Sequence, residues 1–231
     1  MEPEVHSAYY TEAPSVLQQI KLVLMTTTGK SLPPEAGPAA PAAPETGPPM
    51  RADARRSHAR LLSAATTAFA EHGADASLED IARRAGVGIG TLYRHFPSRL
   101  DLQEAVFRNQ VAAVCARGDE LADAPSPGDA FAGWMRALAN YLVTKRGLAG
   151  ALIAARGRDS DVISSCSQVI KATASRLLER AQEAGAVRPD LNVTDVMMLV
   201  HGVVAATERT PDQADRLLSL TLDGLRARDG S

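Results

Sequence analysis

The sequence predicts an all-α protein of about nine helices, and three observations carry that prediction. Apolar residues recur at i, i+3, i+4 and i+7 along most of the chain, the spacing of helices with one buried face. Composition agrees: 45% of residues are hydrophobic but only 4% are aromatic, and Ala, Leu and Arg dominate, which favours helix over strand. Finally, Gly- and Pro-bearing breaks at Gly73, Gly86–Gly88, Pro97, Pro125–Gly128 and Arg188–Asp190 separate the periodic runs.

Residues 1–49 are poor material for a core. Ser31 to Pro49 is rich in Pro, Ala, Gly and Glu and reads as an extended linker behind a disordered tail. Within the tail, Val16, Leu17, Ile20, Val23 and Leu24 show a short helical spacing. That spacing fits a marginal isolated helix or one that docks on a partner. Met25 and Met50 are alternative starting points for a chain made without the tail.

Residues 50–110 form the first expected domain. In a helix over 51–72, Leu61, Leu62, Ala65, Ala68 and Phe69 line one face and Gly73 ends it. Arg51, Arg55 and Arg56 precede that face and read either as solvated or as lying along phosphates. Ser77 stands before Leu78 with Asp80 three positions on, the pattern of a helix N-cap. Leu78, Ile81, Ala82 and Ala85 then mark a short helix, and Gly86 follows at the position that takes left-handed backbone. A second short helix runs from Ile89 to Phe96, closed because Pro97 biases Phe96 away from helical geometry. On a helical wheel Phe96 falls about 40° and Ile89 about 60° from Leu92, one apolar edge. Gly90, Thr91, Tyr93 and Arg94 take the other side. Two short helices around a tight Gly turn, the second polar on its outer face, are a helix-turn-helix shaped to enter a DNA major groove.

From Leu61 to Val106 the run LLSAATTAFAEHG, LEDIARRAGVGIGTLYRHFPSR, LDLQEAV resembles the DNA-binding domain of the tetracycline-repressor (TetR) family in all four motif segments at family spacing. A weaker similarity from Gly147 to Gly224 points to the SbtR-type ligand-binding half of that family. The resemblance implies base contacts from Thr91 and Arg94, the latter suited to guanine O6 and N7. Gly90 lacks a side chain where the helix backbone would come closest to the duplex. Tyr93, His95 and Arg99 stand where the family grips phosphate, a contact that positions without reading sequence, and the Ser77 region can touch a phosphate as well. Tyr93 packed on Phe69, and His95 capping the turn, are the alternatives. Two positions depart from the family: Gly88 replaces a common Ser cap, and Ile89 replaces a frequent Lys or Arg, leaving apolar contact with a thymine methyl.

After Pro97, Ser98 is a plausible N-cap with Asp101 in the first turn. The helix runs over 100–121, with Leu102, Ala105, Val106, Asn109 and Ala113 on one face. Residues 111–229 make the second expected domain. Over 129–144, Phe131, Trp134, Met135, Leu138, Tyr141 and Leu142 keep the helical spacing. Phe131, Trp134, Met135 and Tyr141, with Ile153 from the next helix over 147–155, serve equally as core or as the wall of a ligand cavity. A longer helix covers 159–185, and two more, 194–207 and 211–227, close the chain. Met197, Met198, His201, Gly202, Val204 and Ala205 give an apolar, partly small-residue surface, with His201 read as a core or interface histidine. Leu217, Leu218, Leu220, Thr221, Leu222 and Leu225 give an apolar surface wider than one buried stripe. Such helices are buried on more than one side. The family resemblance implies that they form a four-helix bundle with their copies in a second chain, which makes Met197, Met198, His201, Gly202, Ala205, Leu217, Leu218, Leu222 and Leu225 the expected dimer interface.

Charge and motifs narrow the function. The net charge is −2, yet residues 51–100 carry eight Arg against five acids, a local excess suited to a phosphate-facing end. Cys115 and Cys166 lie far apart and indicate neither zinc site nor disulfide framework. No metal or cofactor is expected. No apolar run approaches the ~20 residues of a membrane span, and Glu2 and Glu4 replace a basic leader, so a cytoplasmic protein is expected. An enzyme is the rival from another class, but Gly86-x-Gly88-x-Gly90 follows a charged helix rather than a strand and carries no dinucleotide fingerprint. A helical protein-binding module is the second rival, opposed by the outward Thr91, Tyr93 and Arg94. The expected partners are operator double-stranded DNA, an unknown small-molecule effector and a second copy of the chain.

Overall fold

A computed structural model describes residues 49–144, 146–157 and 160–227. The tail and linker expected over 1–48, with their helical spacing at Val16–Leu24, lie outside the described residues. Among the described residues there are nine α-helices and no sheet: α1 Pro49–His72, α2 Leu78–Arg84, α3 Ile89–His95, α4 Arg99–Ala122, α5 Pro127–Thr144, α6 Arg146–Arg156, α7 Asp161–Glu183, α8 Val193–Ala206 and α9 Ala214–Gly224.

The head is α1–α3 packed on the start of α4. Leu61, Ala65, Ala68 and Phe69 of α1 meet Leu78, Ile81 and Ala82 of α2 and Leu92 of α3, all buried. Gly73 closes α1 at φ +74°. Ser98 begins α4 with a reciprocal capping box: its Oγ accepts from Asp101 N, and the Asp101 carboxylate accepts from Ser98 N at 2.9 Å. α4 is one continuous rod through residue 110 and belongs to head and body alike. Its buried positions are Leu102, Gln103, Val106, Phe107, Val111, Val114, Cys115 and Gly118. Asn109 and Ala113, expected on the buried face, are exposed. A helix covered first by the head and then by α5 and α7 has no single stripe to follow.

The body centres on the crossing of α4, α5 and α7. Trp134 is fully buried and its Nε1 donates to Val114 O at 2.9 Å. Gly118 lets the helices approach, since a Cβ there would fall 2.2 Å from Thr173 Cγ2 and 3.0 Å from Trp134 Nε1. α8 opens on an Asn192 capping box with Asp195. The expected final helix over 211–227 is divided: Pro211–Gln213 is a single 3-10 turn, α9 ends at Gly224, and Arg226 forms an antiparallel bridge with Val187.

The α8–α9 surface also differs from expectation. Met197, Leu218, Leu222 and Leu225 pack into the protomer's own core, at 7%, 3%, 8% and 5% exposure. Side chains facing out are Met198, Leu199 and Leu220, the last 55% exposed, with His201, Gly202, Ala205 and Leu217 half-buried. A periodic reading shows how wide an apolar surface is; only packing shows which side of it the protomer uses.

Candidate nucleic-acid interface

The turn that aims α3 is set by backbone chemistry. Gly86 holds φ +66°, its N–H donates to Arg83 O at 3.1 Å, and Val87 N donates to Ala82 O at 3.0 Å. These two bonds are the Schellman closure of a helix end, which needs left-handed backbone at its first residue beyond the cap. At the start of α2, Ser77 Oγ accepts from Asp80 N at 3.2 Å. Gly88 opens α3 with no side-chain cap bond, as the missing Ser leads one to expect.

The seven residues of α3 are two-faced. Leu92 is fully buried, and Phe96, just beyond the helix, is 3% exposed; these two hold the helix down. Ile89, expected to share that apolar edge, is 38% exposed instead, because as the first helical residue it overhangs the turn. It stands with Gly90, Tyr93 and Arg94 on the outer face, Tyr93 at 46% exposure and clear of the core. Thr91 is half-buried beside them. Arg94 Nε donates to Gly90 O at 3.2 Å, which steadies the side chain and leaves its terminal nitrogens for an outside acceptor. A Cβ on Gly90 would meet nothing within 4 Å. The protein's own packing therefore does not require Gly there, although Gly weakens a helix.

His95 neither caps the turn nor stands free. Its ring lies edge-on to His58 of α1, centroids 5.7 Å apart, and His58 stacks obliquely on Phe96 at 5.1 Å. Burial, and second the neighbouring His95, lower the His58 pKa below its ordinary value. Sequence reasoning missed His58, though its place three residues before Leu61 puts it on the buried face of α1. Arg99 Nη1 donates to Ala74 O at 3.2 Å and Ala76 O at 2.5 Å, so this guanidinium is partly committed within the protein. Around the helix-turn-helix, Arg84 pairs with Glu71 of α1 at 2.7 Å and Arg83 with Asp80 at 2.5 Å. Arg56 pairs with Asp53.

In the body, Phe131, Trp134, Met135 and Tyr141 are all buried and Ile153 is half-buried. Trp134 spends its one polar atom on Val114 and acts as packing. Burial pushes the Tyr141 hydroxyl far up from its ordinary range, with smaller contributions from Cys166 and Cys115, so it remains a neutral phenol. Phe131 also reaches the floor of a cleft of about 500 Å³ shared with Val187, Leu222, Arg136 and Arg226. Both cysteines are buried and neither is in a disulfide. Among the described residues no His, Cys, Asp or Glu cluster could hold a metal, and no helix is long and apolar enough to cross a membrane.

Two family descriptions match the chain: "Bacterial regulatory proteins, tetR family" over residues 61–106 and "Transcriptional regulator SbtR-like, C-terminal domain" over 126–227. Among solved structures, a TetR transcriptional regulator from Streptomyces coelicolor is 38% identical with a TM-score of 0.66, covering 74% of this chain and 99% of that one. A TetR transcription regulatory protein from Mycobacterium vanbaalenii is 34% identical at TM-score 0.65, covering 78% and 100%. The transcriptional regulator UidR of Escherichia coli K12 is 27% identical over 171 residues, 69% of this chain and 85% of UidR. These relatives are transcriptional regulators and not enzymes. The chain belongs to the TetR family of bacterial DNA-binding transcriptional regulators.

Proposed function

We propose that this regulator is a cytoplasmic, ligand-responsive repressor that binds a near-palindromic operator as a homodimer. A two-fold dimer presents two copies of α3 to successive major grooves about 34–36 Å apart, which imposes the palindrome. Thr91 and Arg94 read base edges, Ile89 meets a thymine methyl, and Gly90 admits the helix backbone to the groove. Tyr93 and His95 hold phosphates, with Arg99 and the Ser77 region at the margin. The second copy docks on the outward side of α8 and α9, through Met198, Leu199 and Leu220 with His201, Gly202, Ala205 and Leu217 around them.

A small-molecule effector enters the body among Phe131, Met135, Tyr141 and Ile153. It releases DNA by binding better to the dimer whose heads are wrongly spaced, and only that difference in affinity can move the balance. The single observation that carries the reading is the two-faced α3, anchored by Leu92 and Phe96 and turned outward at Gly90, Tyr93 and Arg94. Arg94→Ala tests it. The substitution should cost about 1–3 kcal/mol of operator affinity and relax discrimination at one base position in each half-site. An unchanged binding profile would place the wrong helix face in the groove.

A further inference from the structure

Two side chains of α4 hold the head from outside it. Arg99 and Gln103, one turn apart, both reach the loop between α1 and α2. Gln103 Nε2 donates to Ala74 O at 2.9 Å, and Arg99 Nη1 donates to Ala74 O and Ala76 O. Gln103 is only 5% exposed, between the buried Leu102 and the buried Val106 and Phe107. An amide costs free energy to bury unless its hydrogen bonds are made. Leu or Met would fill the same space without that cost, so the packing alone gives no reason for a glutamine.

The loop is well placed to control α3. Ala76 precedes Ser77, the cap of α2, and α2 is locked to α3 through the Gly86 closure. The reading helix is thus fixed to α4 at both ends of the helix-turn-helix: covalently through Phe96–Ser98, and across space through Ala74 and Ala76. The body meets the same corner. A Cβ on Gly147 of α6 would lie 3.9 Å from Gly73 Cα, and Arg156 at the other end of α6 pairs with Glu104, next to Gln103, at 2.9 Å.

We propose that Arg99 and Gln103 are positioning residues: they set the angle of α3 on the body and thereby the separation of the two reading helices in the dimer. The proposal rests on the dimeric reading above. It gives Arg99 a role that its charge alone does not fill.

The test uses the full chain and the duplex that the wild type enriches most from a random library. From it a series is made with the spacer between half-sites lengthened or shortened. Binding is then measured at several salt concentrations for wild type, Gln103→Met and Arg99→Lys. Met keeps the bulk of Gln and removes the donor; Lys keeps the charge but replaces the rigid guanidinium, whose Nη1 donates to both carbonyls, by a compact ammonium on a shorter and more flexible stem. Discrimination between the best and the shifted spacers should fall by about fivefold or more in each variant. The dependence of affinity on salt should stay as in wild type, since no charge facing phosphate is lost.

A merely structural role would lower the melting temperature and leave the spacing profile intact. Unchanged profiles in both variants therefore overturn the proposal. So does a loss confined to Arg99→Lys and equal at every spacer, which would return Arg99 to the phosphate alone. Should Gln103→Met fail to fold, the half-buried Arg99→Lys decides by the same profile. A wild type indifferent to spacing refutes the dimeric operator and this proposal with it, and is told apart because the reference profile itself is then flat.

Discussion

Replacing Gly90 by Ala should make this protein more stable and a worse DNA binder. Gly90 sits in the first turn of α3 with backbone angles open to any residue, because the positive-φ glycines among the described residues are Gly73, Gly86, Gly157 and Gly185. A Cβ there meets nothing within 4 Å, so no strain opposes the change. Removing Gly from a helix gains about 0.5–1 kcal/mol through the lower entropy of the unfolded chain. For a protein of this size that is roughly 1–4 °C in melting temperature. In the groove the same methyl occupies the space the backbone needs, and a displacement that loses one good base contact lowers operator affinity by about tenfold or more. Affinity for unrelated duplex, carried by phosphate contacts, should hold. Thermal unfolding and anisotropy titration on a selected duplex read the two effects separately. A variant that melts higher and binds the operator as well as wild type would refute the close approach at Gly90. One that melts lower would refute the open geometry of α3.

Other perturbations test the body, the interface and the His58 cluster. Gly118→Ala gains about 1 kcal/mol of helix propensity but drives a methyl into Thr173 Cγ2, whose rotation would break the Thr173 Oγ1 bond to Val169 O at 3.1 Å. Overpacking of this kind costs about 1–3 kcal/mol, a net loss of up to about 2 kcal/mol, so the melting temperature should fall and recover in part when Thr173→Ser removes that methyl, the 3.0 Å approach to Trp134 Nε1 remaining; a rise in the single variant would mean a looser crossing. Leu220→Glu should give folded monomers by sedimentation with poor operator binding, whereas Leu218→Glu, at a position 3% exposed, should unfold the protomer. An intact Leu220→Glu dimer would move the interface elsewhere. His58, its pKa lowered by burial and by His95, takes its proton in the unfolded chain before it does in the folded one. Its contribution is therefore complete above the ordinary value of 6.5 and is lost as pH falls below it. His58→Gln should flatten that part of the stability–pH curve, and an unchanged slope would mean the imidazole is well solvated.

The helix-turn-helix was legible because its rules are local. Gly86 as a left-handed closure, Ser77 and Ser98 as caps, and Leu92 with Phe96 on one edge all follow from spacing and from backbone chemistry within a few residues. What escaped the sequence depends on partners far along the chain. Gln103 reads as a polar residue on a helix, and nothing nearby tells that its amide reaches Ala74, 29 residues earlier. On α9, periodicity shows that Leu217, Leu218, Leu220, Leu222 and Leu225 make a broad apolar surface. It does not say that Leu218, Leu222 and Leu225 serve the protomer while Leu220 is turned away from it. α4 misleads for a related reason: it is buried against the head and then the body, so Asn109 and Ala113 fall outside both stripes.

The most direct measurement is selection of duplexes from random DNA by the purified, effector-free chain at moderate salt, followed by titration of the enriched sequence against bulk DNA. A dimer reading with two copies of α3 should recover a near-palindrome with half-sites about one helical turn apart, bound about a thousandfold or more above bulk DNA. Enrichment of no sequence, with every duplex bound alike, would contradict the assignment of α3 to the groove.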